Sequence, residues 1–216
     1  MAIDATPADR FASDAPRPRG GRPTAWRRLR VGAGLAGALA GSVAFAAAPA
    51  NATSGLADGS FESPVVRPGT FQDFAAGQFI GPWRVTNGSV DLIGAGFWQA
   101  ADGRQSLDLS GGSAGGVTQT FSTRPGVVYE VIYALAGNPD GPPAVKTGQV
   151  FINGGLAQNF SFDVTGHTRA NMGYVTRAVR FRATGVSTTV QFSSTTNTAF
   201  GPVIDDVAVD RCGCGV

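Results

Sequence analysis

The sequence predicts an all-β fold, an antiparallel jelly-roll β-sandwich, preceded by a secretory signal peptide. Three observations carry this. From Leu56 onward the chain consists of short segments in which apolar and polar residues alternate, the period of a half-buried strand. These segments are separated by dense turn chemistry: Pro68-Gly69, Asn87-Gly88, Arg124-Pro125-Gly126, Asp140-Gly141-Pro142-Pro143 and Asn153-Gly154-Gly155. No long stretch carries a helical period. Close to a dozen strands in ~160 residues suits two packed sheets.

The leader comes first. Seven of the 17 basic residues lie in the first 30 positions, against three of the 15 acids, so the remainder holds ten basic and twelve acidic residues. The basic character belongs to the leader, and the body has no basic footprint for nucleic acid. Residues 1–30 offer little to bury and read as disordered. Val31–Ala48 is an unbroken apolar run, followed by Ala48-Pro49-Ala50-Asn51-Ala52. A basic region, an apolar region and a small-residue site describe a signal peptide, with cleavage after Ala50 or Ala52 fitting equally. A retained anchor is the weaker alternative, because the run is rich in Gly and Ala and ends in a cleavage motif. Arg27-Arg28 invites a twin-arginine route, but Leu29-Arg30-Val31 lacks the paired apolar positions, which favours general secretion. The organisation is therefore 1–52 leader and signal, 55–211 sandwich, and 212–216 a Cys-x-Cys tail.

Expected strands are Asp58–Glu62, Trp83–Thr86, Ser89–Ile93, Gln105–Leu109, Gly116–Ser122, Val127–Leu135, Gln149–Asn153, Gln158–Val164, Val175–Ala183, Ser187–Ser193 and Val203–Val209. In the last of these, alternation puts Val203, Asp205, Val207 and Val209 on one face, the inward one. A buried carboxylate needs a cation, a metal or several N–H donors. Two motif matches carry no mechanism. Gly32-Ala33-Gly34-Leu35-Ala36-Gly37 fits a dinucleotide fingerprint but sits in the apolar leader without a strand before it. Gly111-Gly112-Ser113-Ala114-Gly115 fits a nucleophile elbow, but an alternating strand follows it rather than a helix.

A run of motifs resembles the DUF642 and choice-of-anchor C proteins. Leu56-Ala57-Asp58-Gly59-Ser60-Phe61-Glu62-Ser63-Pro64 is similar to that family's opening. Gly81-Pro82-Trp83-Arg84-Val85 with Val90-Asp91-Leu92-Ile93 resembles its next block. Phe97 to Ser110, Ala134 to Pro139 and Gly201–Val209 follow in the family's order. The resemblance spans about Leu56 to Asp210. It implies a galactose-binding-like sandwich, secreted or associated with a cell wall, of the shape used by carbohydrate-binding modules. The chain departs from bacterial relatives in stopping at Val216 without a hydrophobic tail, and from many relatives in having Asp206 where they have Asn. Similar sandwiches hold Ca²⁺ where the first and last strands meet. Glu62 and Asp205 would supply carboxylates, with carbonyls around Asp58–Ser60, since Ca²⁺ takes six to eight hard oxygens. The alternative is that Asp205 accepts backbone N–H bonds and Glu62 is solvated.

For a ligand, aromatic rings provide flat apolar partners for the C–H faces of sugars. Trp98, just ahead of a strand, is the ligand candidate, whereas Trp83 reads as core. Gln99, Arg104 and Asn138 are the polar partners. Catalysis has little support. Glycoside hydrolysis needs two carboxylates ~5–9.5 Å apart, and Glu62 and Glu130, the two glutamates, sit in no catalytic motif. Asp91, Asp102 and Asp108 lie in the strongest family block, with Asp102-Gly103 reading as a turn. His167 is the single histidine, too few for a zinc site with two terminal cysteines. Cys212 and Cys214 lie too close together for an unstrained bridge, so a disulfide to another chain or free thiols are the options. The expected function is non-catalytic binding of a cell-wall or extracellular polysaccharide. A structural surface protein with protein partners is the alternative, and a polysaccharide-acting hydrolase the weaker third.

Overall fold

The structure is a computed structural model that describes residues 55–212. The leader, its cleavage site and Cys214 lie outside the described residues.

Twelve strands form two six-stranded sheets. They are β1 (Phe71–Ala75), β2 (Phe79–Ile80), β3 (Trp83–Asn87), β4 (Ser89–Ile93), β5 (Ser106–Asp108) and β6 (Gly116–Ser122), then β7 (Val128–Gly137), β8 (Val145–Ile152), β9 (Gly155–Asp163), β10 (Val175–Arg182), β11 (Ser187–Ser194) and β12 (Pro202–Arg211). One sheet has the order β1-β4-β5-β12-β7-β10 and the other β2-β3-β6-β11-β8-β9. Every pairing is antiparallel. The all-β sandwich read from the alternation is therefore the fold.

The alternation works residue by residue. Along β11, Thr188, Val190, Phe192 and Ser194 are buried and the residues between them are less so. Tyr133 of β7 meets Phe192 of the facing sheet edge-on at 5.0 Å and Phe160 of β9 at 6.0 Å. These contacts identify the inner face of the first sheet. Leu92, Leu107, Ile204 and Leu135 form one row across β4, β5, β12 and β7 on that face, all buried. The next row over, Asp91–Asp108–Val203–Ala136, points to the opposite face, with Asp73 of β1 directly across from Asp91. Loops 94–105, 138–144, 165–174 and 195–201 gather on that outer side, and burial there comes from them rather than from the facing sheet.

Three expectations need correction. Asp58–Glu62 is not a strand. Asp58 and Phe61 have φ of 50° and 55°, and the Asp58 carboxylate accepts from Glu62 N at 2.8 Å and Ser63 N at 3.3 Å. A side chain that satisfies the backbone locally replaces the ladder. Phe61 is still fully buried, tilted against Trp83 at 5.4 Å. Second, β1 and β2 were not expected, since Phe71-Gln72-Asp73-Phe74-Ala75 buries only Phe74. Third, β12 does not alternate throughout. A bulge between Asp205 and Ala208, with Asp206 at φ 47°, inserts a residue. Val203 and Asp205 therefore face the outer side, while Ile204, Val207 and Val209 face the inner one.

The start and end of the domain do lie together. Val207 N donates to Gly59 O at 2.9 Å, and a Cβ on Gly59 would meet Val207 O at 1.9 Å. Only glycine permits that approach. Cys212 carries a free thiol, and no disulfide forms among the described residues.

Candidate functional site

Asp205 and Glu62 both hold the loop joining β4 to β5. Asp205 is fully buried. Its Oδ2 accepts from Ala101 N at 2.7 Å and Asp102 N at 3.1 Å, and its Oδ1 from Asp206 N at 2.7 Å. Glu62 Oε1 accepts from Arg104 N at 2.6 Å and Gln105 N at 2.8 Å. Five backbone donors thus face two carboxylates. N–H donors present positive charge where a cation would have to sit, so this pair does not fit calcium as it stands. Among the described residues no group of three or more His, Cys, Asp or Glu is placed to hold a metal. What the pair does is pin the loop 101–105 to both ends of the domain. Burial, opposed by the three N–H bonds, pushes the Asp205 carboxyl up to about 7.

The preceding part of the same loop, at Phe97 and Trp98, forms one wall of a cleft of ≈ 240 Å³ on the outer face of the first sheet. Asp91 and Ile93 of β4 and Phe71 at the start of β1 lie on one side of it; Asn138 and Asp140, which follow β7, lie on another. Phe200, which leads into β12, and Arg169 complete it with Phe97 and Trp98. Sheet order explains the convergence, since the C-terminal ends of β4 and β7 and the N-terminal ends of β1 and β12 share one edge of the sheet.

The aromatic residues form a connected array. Phe97 meets Phe71 edge-on at 5.7 Å and Trp98 at 5.4 Å. The Arg169 guanidinium lies 4.2 Å from the Phe97 ring centre and is paired through Nε with both Asp140 oxygens, at 2.9 and 3.1 Å. Phe71 is 52% exposed, so the array keeps an open apolar face. Trp98 is 5% exposed and donates through Nε1 to Ser106 Oγ at 2.8 Å. It forms the buried back of the wall, with Phe97 and Phe71 in front of it.

The floor is polar and carries unusual protonation. Asp108 is fully buried, accepting from Ser110 N, Gly201 N and Asn138 Nδ2 at 2.9, 3.2 and 2.8 Å. Burial raises its carboxyl to about 8 against those three bonds, with the Asp91 charge adding to the rise. Asn138 Oδ1 in turn accepts from Asp140 N at 3.0 Å, so Asp108 orients the amide that orients the loop. Lys146, sealed from solvent, donates to Gly141 O at 2.6 Å. Its pKa is lowered by burial, against the opposing charges of Asp108 and Asp140. Asp91 differs from Asp108 in that no backbone N–H or amide donor reaches its enclosed oxygen. Its Oδ1 is enclosed and has no hydrogen-bond partner. Burial first, then the charge of Asp73 and a proton shared with it, raise the Asp91 carboxyl to about 7. Glycine at 111 makes room for this, since a Cβ there would lie 2.3 Å from Asp73 Oδ2 and 3.1 Å from Asp91 Oδ1.

Of the four ligand residues expected from the sequence, Trp98 and Asn138 come together in this cleft. Gln99 faces a neighbouring polar depression lined also by Tyr174, Thr176 and Asp206, its Oε1 accepting from Met172 N at 3.0 Å. Arg104 lies away from both, beside Glu62 and Val66. Phe71, Asp140, Arg169 and Phe200 were not anticipated. An aromatic at a loop edge has no local pattern, and only Phe97-Trp98, already adjacent in sequence, was visible. Ser113 is an exposed loop residue between β5 and β6, as expected.

Solved structures similar to this chain include a family 35 carbohydrate-binding module from Clostridium thermocellum, 14% identical with a TM-score of 0.47, covering 66% of this chain and 99% of that one. TmCBM61 in complex with β-1,4-galactotriose is 20% identical with a TM-score of 0.46, covering 63% and 92%. The CBM22-1 xylan-binding domain of Paenibacillus barcinonensis Xyn10C is 16% identical with a TM-score of 0.42, covering 68% and 96%. No curated protein matches the chain. A family match, by contrast, spans nearly all the described residues, running from 54 to 210: the chain belongs to the family described as Protein of unknown function (DUF642).

Proposed function

We propose that this protein binds carbohydrate without cleaving it, through the cleft between Phe71, Asp91, Trp98 and Asn138, and that it does so outside the cell after removal of its leader. The carrying observation is the juxtaposition of an open aromatic array with a carboxyl and an amide. Phe71 and Phe97 offer an apolar surface against which the C–H face of a sugar packs. Asp91 and Asn138, held by the sheet and by Asp108, offer hydrogen bonds to hydroxyls. Such a combination of apolar walls with a few placed polar groups is what small ligand sites require.

The carboxylates of the cleft support a binding role over a hydrolytic one. Hydrolysis of a glycosidic bond uses two working carboxyls across the bond. Here Asp140 is committed to Arg169 and Asp108 is sealed beneath the floor, which leaves Asp91 alone facing the cleft. The test is retention of the full chain on a panel of insoluble wall and plant polysaccharides, with soluble oligosaccharides as competitors. Retention on at least one is expected, and Phe71→Ala should weaken it by up to about tenfold while leaving the melting midpoint in place. Absence of retention on the whole panel refutes the proposal, and release of reducing ends replaces it with a hydrolase.

A further inference from the structure

We infer that the sugar this cleft is built for carries a free amine: the ligand is a glycan of amino sugars, with its ammonium beside Asp91. This rests on the carbohydrate reading above and narrows it by charge. Two ion pairs occur among the described residues, Arg169–Asp140 and Arg180–Glu130, and Asp91 belongs to neither. Asp73 faces it from β1 and Asp108 from β5. From the loops, Asp140 adds a further carboxylate and Arg169 the one cation of the lining, already matched by Asp140. Lys146 donates to a backbone carbonyl beneath Phe200, between Asp108 and Asp140. The side of the cleft at Asp91 is therefore acidic without a counter-ion.

The three ligand charges are not equivalent there. A uronate would bring a further carboxylate to Asp91 and Asp73, where like charges repel. A neutral sugar would leave the Asp73–Asp91 repulsion as it is. An ammonium relieves it, and the same walls accept a cation, since Arg169 already lies over the Phe97 ring at 4.2 Å and the faces of aromatic rings attract positive charge. Asp91 holds a proton near neutrality because it is partly buried, with its Oδ1 enclosed and unpartnered, and because Asp73 stands across from it. Binding an ammonium then expels that proton, so binding strengthens as the pH rises from 5.5 toward 7.5.

This pH response separates the site from general attraction between a polycation and an acidic protein. A sugar amine is more fully charged at pH 5.5, so general attraction would strengthen on acidification, whereas binding that needs ionised Asp91 weakens. The experiment is calorimetry of the full chain with a glucosamine trimer, its N-acetylated counterpart and a uronate trimer, at pH 5.5 and 7.5. At pH 7.5 the amine trimer should bind about tenfold more tightly than the N-acetylated one; at pH 5.5, where Asp91 still holds its proton and the amine is already charged, its binding should release a proton, seen on changing buffer. That advantage should shrink at pH 5.5. Asp91→Asn should abolish the advantage, so that the amine and N-acetylated trimers bind the variant equally, and Glu130→Gln, remote from the cleft, should preserve it. Asp73→Asn, which leaves Asp91 in place without its neighbour's charge, should shift the pH response downward. Equal affinity for amine and N-acetylated trimers, preference for the uronate, or an advantage that survives Asp91→Asn overturns this inference and leaves the carbohydrate reading standing. Binding of none of the three, together with no retention on the polysaccharide panel, overturns both.

Discussion

Asp91→Asn should stabilise the fold, and increasingly so as the pH rises. The wild-type carboxyl is raised from 3.8 to about 7 by burial and by Asp73, so the folded chain holds a proton that the unfolded chain has released. For a carboxyl raised on folding, its contribution is fully present below pH 3.8 and is lost as the pH climbs through 7. Three units correspond to about 4 kcal/mol at 1.36 kcal/mol each. Asp91 is only partly enclosed, and solvent screening reduces this to about 2 kcal/mol. About a quarter of the loss has already occurred at pH 4.5, so some 1.5 kcal/mol remains to be seen between pH 4.5 and 8.5. Asparagine does not titrate, and its amide donates to Asp73. Urea unfolding of both proteins at the two pH values measures the difference, in which the other raised carboxyls, Asp108 and Asp205, largely cancel. A difference between variant and wild type that does not change with pH would show that Asp91 is ionised at no penalty, and the electrostatic account of the cleft would fall with it. The same result determines whether the variant used for ligand discrimination is folded, which the structure expects.

Trp98→Ala should destabilise by about 3–5 kcal/mol, read from the denaturation midpoint, because Trp98 is 5% exposed behind Phe97 and leaves Ser106 Oγ without its donor. Glu62→Ala should cost about 1–2 kcal/mol and speed hydrogen exchange at Arg104 and Gln105, whose N–H groups it accepts; the thermal midpoint of the wild type should not move with EGTA, since backbone donors occupy the carboxylates that calcium would need. Gly59→Ala should destabilise by about 2–3 kcal/mol in chemical denaturation, because the added methyl meets Val207 O at 1.9 Å and parts the two ends of the domain.

The alternation of β11 or β7 is a property of consecutive residues, and so the sequence alone determined an all-β fold, its strand count to within one, and the burial of Trp83 and Asp205. The family motifs identified the same stretch that the family match covers. Asp205 shows where that kind of reading stops. Its burial was legible, but its direction was not, because one inserted residue at Asp206 turns the strand over, and a bulge leaves no mark in the hydrophobic pattern. Its partners were equally hidden, since the N–H groups of Ala101 and Asp102 lie more than a hundred positions away and backbone donors are the same in every residue. The cleft is the extreme case. Phe71, Asp91, Asn138, Arg169 and Phe200 come from five separate segments, each unremarkable by itself, and only the strand order β1-β4-β5-β12-β7 brings them to one edge. The Asp73–Asp91 repulsion exists for the same reason: local sequence decides which way a side chain alternates, but pairing between strands decides which charges face one another.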